Sequence, residues 1–246
     1  MQQFPKRAAT VRERCRARSL TVAARPQLLA CGLVLALGLP LFAQDGVRVD
    51  KAKRTITIDA KVAPRKLEHL KGEIYPIEVI ACWPHPRGKK AHETVVTIEA
   101  SPSAVARGLE ELGLKPGTPV MGGKDEPKGP EVKVSLLVDD NGEARRLTMD
   151  KVLLDRNNGK PFPKNIHWRF TGSVPMKPDP NKNEEVYGAD FTGTLIVIFP
   201  VTNATVLQTN LTMEYERYMK LETNTKVLPP VGTPVKLVLE VPAGKK

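Results

Sequence analysis

The sequence predicts an α+β fold: a mainly antiparallel sheet with one main amphipathic helix, at about residues 102–112, packed on it. Three observations predict it. Segments rich in Val, Ile and Thr recur through most of the chain, and such residues suit a pleated surface. Only the stretch from Ser101 to Gly113 carries helix start and stop signals around a helical pattern. No linker divides two hydrophobic cores after residue 43, so residues 44–246 are expected to form a single domain.

The first 43 residues have the pattern of an export signal. Lys6, Arg7, Arg12, Arg14, Arg16, Arg18 and Arg25 make a basic leader, and Leu28 to Phe42 is an apolar run broken by Gly32, Gly38 and Pro40. Ala43 is a small residue at a plausible cleavage point. The run is about 15 residues, shorter than a typical membrane span, so removal is expected rather than a stable transmembrane anchor. Leu28-Leu29-Ala30-Cys31 resembles a lipoprotein cleavage box, but it opens the apolar run instead of closing it. The expected location is periplasmic or secreted.

Removal of the signal changes the charge. The whole chain carries +11; residues 44–246 hold 31 Lys plus Arg against 26 Asp plus Glu, a net +5. Aromatic residues are 5% of the chain, and no basic stripe with interleaved stacking residues stands out, so nucleic acid is not an expected partner. Cys15 and Cys31 fall in the signal, which leaves Cys82 alone. One thiol makes no internal disulfide, and about 200 residues can bury a core without one.

Along the mature chain, Val47–Val49 and Thr55–Ile58 read as two short strands. Ile74 to Trp83 is an apolar run placed in the sheet, and the turn-rich Pro84-His85-Pro86-Arg87-Gly88 follows. The strand at 93–99 runs straight into the helix. Ser101 is its N-cap and Pro102 its first residue; Gly113 and Pro116 end it. Ala104, Val105, Gly108, Leu109 and Leu112 share one face, and Gly108 reads either as a point of close approach to the sheet or as a glycine the helix merely tolerates. Eight of the 17 residues from Leu114 to Pro130 are Gly or Pro, so a loop is expected. Val132, Val134, Leu136 and Val138 alternate, Asn141-Gly142 suits a tight hairpin turn, and Ala144–Met149 returns. Further strands are predicted at Ile166–Phe170, Phe191–Phe199 and Val235–Val241. Between them, Val206, Leu207, Leu211, Met213 and Tyr215 suit strands better than a helix.

Three motifs then resemble one family: His92-Glu93-Thr94, followed by Ala100-Ser101-Pro102-Ser103 and Leu112-Gly113-Leu114-Lys115-Pro116-Gly117; Trp168-Arg169-Phe170-Thr171-Gly172-Ser173; and Tyr187-Gly188-Ala189-Asp190-Phe191-Thr192-Gly193-Thr194-Leu195-Ile196. Their order over roughly residues 60–205 resembles the YdjY domain of exported bacterial proteins, in the form that planctomycete exported proteins show. The resemblance implies an exported YdjY-like α+β domain and no activity, since the family is one of unknown function. Some relatives carry a ferredoxin-like label, which implies several cysteine ligands; Cys82 alone does not support an iron–sulfur cluster.

The candidate chemistry lies around residues 78–93. Cys82, His85 and His92 offer three donors suited to zinc or another transition metal. The opposing reading makes Cys82 a small buried hydrophobe and both histidines loop residues. Glu93 could pair with a cation or act at a site, and Asp190 could act at a site or bond its own turn. Gly172-Ser173-Val174 lacks a nucleophile elbow, and Gly122-Gly123-Lys124 lacks the ending of a phosphate loop. Glu110 and Glu111 are neighbours on a helix and do not converge. The expected function is therefore an exported, non-catalytic binding or interaction module for an unknown envelope ligand or protein, with no cofactor. The alternative is a metal-binding protein, and in its sharpest form a hydrolase, built on Cys82, His85 and His92.

Overall fold

Ile56, Ile58, Ala60 and Val62 occupy every second position of one strand, and all four are buried. That alternation repeats through the sheet and defines its inner face. The computed structural model describes residues 46–243. The predicted signal, with Cys15, Cys31 and Ala43, lies outside the described residues.

The chain begins with β1 (Val47–Asp50), β2 (Thr55–Val62), β3 (Val79–Cys82) and β4 (Thr94–Ile98), then α1 (Pro102–Glu111). There follow β5 (Glu131–Asp140), β6 (Glu143–Thr148), α2 (Met149–Val152), β7 (Leu153–Asp155), β8 (Trp168–Phe170), β9 (Pro175–Met176), β10 (Val186–Tyr187) and α3 (Gly188–Thr192). The last elements are β11 (Thr194–Val197), β12 (Leu207–Thr209), α4 (Met213–Tyr218), β13 (Leu221–Thr223) and β14 (Pro234–Glu240).

Eight strands close on themselves in the order β2–β14–β5–β8–β12–β11–β3–β4. The ring shuts where β4 returns to β2, through Ala60↔Ile98, Lys61↔Thr97 and Val62↔Val96. β1 and β6 are additions on β2 and β5. Two pairs in the ring, β3–β4 and β11–β12, are parallel; the other six are antiparallel. Register places Ile58, Leu237 and Leu136 in a row across three strands, all buried to 0% exposure.

This overturns the predicted α+β class. The fold is mostly β, a closed eight-stranded barrel with few short helices, 16% helical. The reason is one of pairing. Periodicity tells which side of a strand is buried, and an open sheet and a barrel wall share that pattern. β2 shows the difference. Its first half pairs with β1 and its second half with β4, so one strand both carries a hairpin and closes the ring.

Helix α1 is ten residues long and lies on the β1–β2 wall. The Ser101 hydroxyl caps it by accepting from the Ala104 N–H at 3.3 Å, and Pro102 stands at its first position. Gly108 is buried; a Cβ there would sit 3.0 Å from Ile56 Cδ1 and 3.1 Å from Val49 Cγ2. Glycine lets helix and wall meet closely. The turn at Asn141-Gly142 has both residues at positive φ, 56° and 90°, as a tight hairpin requires. Two predicted strand segments are helical instead: Phe191 and Thr192 belong to α3, and Met213 and Tyr215 to α4. Both helices are single turns or little more, too short for a 3.6-residue pattern to repeat.

Replacing Gly108 with Val should lower stability by about 2 kcal/mol, since extra methyl groups at a filled contact strain their neighbours. Urea unfolding should show a lower midpoint with an unchanged slope; an unshifted midpoint would mean that α1 does not press on this wall.

Candidate functional site

β3 and β4 run parallel with Val79 opposite Thr94, so the residues just before them, Glu78 and Glu93, are brought side by side. The Glu78 N–H donates to the Glu93 carbonyl at 3.1 Å. Lys90 Nζ lies 2.7 Å from Glu93 Oε2 and 3.2 Å from Glu78 Oε2. His92 Nε2 lies 3.1 Å from Glu93 Oε1. Glu93 is buried and its three neighbours are half-buried. Close by, the Arg65 guanidinium donates to Glu222 Oε1 at 2.7 Å, to the His92 carbonyl at 3.0 Å and to the Tyr75 carbonyl.

The charges perturb one another. Burial pushes the Glu78 carboxyl above its usual range, the Glu93 charge pushes it further, and Lys90 opposes both. Burial alone would lower Lys90, but hydrogen bonding and attraction from the two carboxylates outweigh it and hold the ammonium up. His92 is pushed down, first by burial and then by Lys90 and His69. The Glu222 carboxyl is held down: burial, the largest influence, would raise it, and Arg65 with the Thr223 backbone overcomes that. An ammonium and a guanidinium thus face three carboxylates at close range. Such mutual compensation is the signature of ion-pair fastening as well as of acid–base chemistry.

The predicted metal ligands do not form a donor set. Cys82 is fully buried; its Sγ donates to the Trp83 carbonyl at 3.2 Å, and burial pushes the thiol up to about 12. Burial thus disfavours the thiolate, the form in which a cysteine acts as nucleophile or metal ligand. The His85 ring stacks on His69 at 4.0 Å between centroids, whereas His92 turns to Glu93. Among the described residues no group of three His, Cys, Asp or Glu side chains could hold a metal ion. A cavity of about 420 Å³ lies beside His69 and His85, with Glu68, Pro84 and Leu67 in its wall; Glu78 and Glu93 do not line it.

Asp190 serves α1. Its Oδ1 accepts from the Ser103 N–H at 2.9 Å, so a carboxylate sits at the helix N-terminus, where the backbone dipole favours it. The same region holds a second cavity, a groove of about 400 Å³ whose wall includes Arg107, Glu110, Pro116, Phe170, Ser173 and Tyr187. Ser173 Oγ accepts from the Ala189 N–H at 2.9 Å and so ties the β8 exit to α3. Gly172 has φ +68°, and a Cβ there would stand 2.7 Å from Pro116 Cβ. The Tyr187 hydroxyl is pushed up to about 12, first by burial, then by the charges of Asp190 and Glu110. It therefore stays a phenol, able to donate.

The three motifs that carry the family resemblance each contribute to this groove: Ser103, Pro116 and Gly117 from the first, Phe170 to Ser173 from the second and Tyr187 from the third; His92-Glu93-Thr94, which opens the first, does not line it. Of the sequence candidates, Glu93 joins the ionic cluster and Asp190 supports the groove from behind. Residue chemistry alone does not single out Arg107, Glu110 or Tyr187. The signal that reaches them is the meeting of distant segments, which needs the fold.

A protein-family model described as the YdjY domain matches residues 47–240. No curated protein matches the chain, and no solved structure does.

The raised Glu78 carboxyl has a consequence for stability. The folded state binds that proton more tightly than the unfolded chain, so its contribution is complete below pH 4.5 and is lost as pH rises through the folded value. Glu78→Gln removes this titration. The stability difference between variant and parent, from urea unfolding at steps between pH 4.5 and about 7, should shift in favour of Gln as pH rises. A flat difference would contradict the crowding of Glu78 against Glu93.

Proposed function

The chain belongs to the YdjY domain family, and from that premise we propose that it is an exported, non-catalytic binding module whose ligand seat is the groove between α1, the 114–119 loop, the β8 exit and Tyr187. One observation carries the reading. Segments separated by as many as 84 positions, from Ser103 to Tyr187, supply one concave surface of about 400 Å³, within the usual size range of small-ligand sites. The wall mixes two aromatic rings, prolines, hydroxyls and two charged side chains, which is the composition of a recognition surface.

Among the described residues, catalysis lacks a comparable arrangement. The perturbed groups Glu78, Lys90 and His92 do not line the groove, and they engage Glu93 rather than a cavity. Export is supported by the basic leader and the apolar run before Ala43. Among the described residues no helix is long and apolar enough to cross a membrane.

Two measurements test the proposal. Expressed from its full reading frame in a bacterium, the protein should be recovered outside the cytoplasm with Gln44 at its N-terminus by mass spectrometry; an intact leader on cytoplasmic protein would overturn export. Amide chemical shifts recorded against a panel of amino acids, short peptides and saccharides should move together at residues 103–110, 116–119, 170–173 and 187. Perturbations centred elsewhere, or turnover of a panel member that one conservative substitution abolishes, would overturn the binding-module reading.

A further inference from the structure

We propose that the groove takes a short zwitterionic peptide, with Arg107 on its carboxylate and Glu110 on its ammonium group; this rests on the groove being the binding seat. The two residues are three apart on α1, so they share a face with Cβ atoms about 5–6 Å apart. Opposite charges at that spacing commonly pair on a helix. Here neither makes an ion pair among the described residues, whereas the adjacent Glu111 is taken by Lys51 at 3.6 Å. Both line one groove. A positive and a negative group are thus held side by side over a cavity, each available to a ligand.

The other ligand chemistries fit less well. A phosphate would gain Arg107 but meet Glu110, with Asp190 behind it. A simple cation would gain Glu110 but meet Arg107. A neutral saccharide that covered the rim would take both charges out of water without a counter-charge, which is unfavourable. A molecule bearing both ends satisfies both residues. A di- or tripeptide spans roughly 7–11 Å at about 3.3–3.6 Å per residue, long enough to reach both charges from one side of the groove. Tyr187, kept as a phenol, and Ser103 offer donors to the peptide carbonyls between the ends. Pro116, Pro119 and Phe170 give its side chains an apolar wall.

The test uses the folded protein from residue 44 onward and three probes: Ala-Ala, N-acetyl-Ala-Ala-amide and a neutral disaccharide. Titration followed by amide shifts and calorimetry should show Ala-Ala in the groove and the capped peptide bound at least tenfold more weakly. Arg107→Gln and Glu110→Gln should each weaken Ala-Ala at least tenfold, and Glu111→Gln should leave it unchanged. All three substituted positions are exposed, and equal melting temperatures would show that folding is intact. Capped peptide binding as well as free, or indifference to Arg107→Gln and Glu110→Gln, would overturn the inference. If the disaccharide moved the groove amides and Ala-Ala did not, the peptide would be wrong and the groove would stand. If no probe moved those amides, nor any member of the wider panel, both readings would fall.

Discussion

The pairing of β4 with the second half of β2 is the constraint on which the rest of the structure depends. It covers three residue pairs and turns a ladder of strands into a ring. A row of unpaired backbone groups would otherwise be left on β2 and β4, an invitation to aggregate. Closure also fixes where everything else stands. Because β4 is held by β2 on one side, β3 must lie on the other, and there the two strands run parallel. Parallel strands align their leading ends. That is why Glu78 and Glu93, 15 positions apart in sequence, come to share Lys90.

The ionic cluster follows from that alignment, and its geometry is that of a fastener. Arg65 alone joins four parts of the chain: its own loop, Tyr75, His92 and Glu222. Lys90 joins the ends of two strands. Each charged group has its opposite within hydrogen-bond distance, which offsets the cost of taking it out of water. Strong mutual perturbation of ionisable groups marks catalytic sites, but it marks such fasteners equally. Glu78 and Glu93 line neither the groove nor the cavity at His69 and His85.

Much of the local structure is legible in the residues, and its causes are local. Ser101-Pro102 starts α1, Asn141-Gly142 makes the hairpin turn, and alternation from Val132 to Val138 sets the buried side of β5. Closure is not legible. Nothing in Val96 or Ile98 says that their strand will meet Val62 and Ala60 instead of ending an open sheet. α3 is hidden for another reason. Gly188 to Thr192 is five residues between a strand and Gly193, and its Asp190 faces a backbone N–H of α1 that lies 87 residues earlier. The same limit applies to the candidate ligands. Cys82, His85 and His92 are close in sequence, yet a strand, a loop and a short 3-10 helix send them to three environments: a buried backbone carbonyl, a stacked histidine and a glutamate.

The groove shows how this fold divides shape from charge. Its shape is set by contacts that also hold the molecule together: Asp190 on the first turn of α1, Gly172 against Pro116, and Ser173 on the α3 backbone. Those contacts leave little room for change, since a Cβ at Gly172 would strike Pro116 and its φ already excludes most side chains. The charged residues at the rim carry no such duty. Arg107 and Glu110 point away from the buried face of α1, and substituting them exposes no core. A barrel wall of this kind can therefore keep one concave surface while the side chains at its rim are free to vary, and the proposed binding there would be set by those few exposed residues on a rigid scaffold.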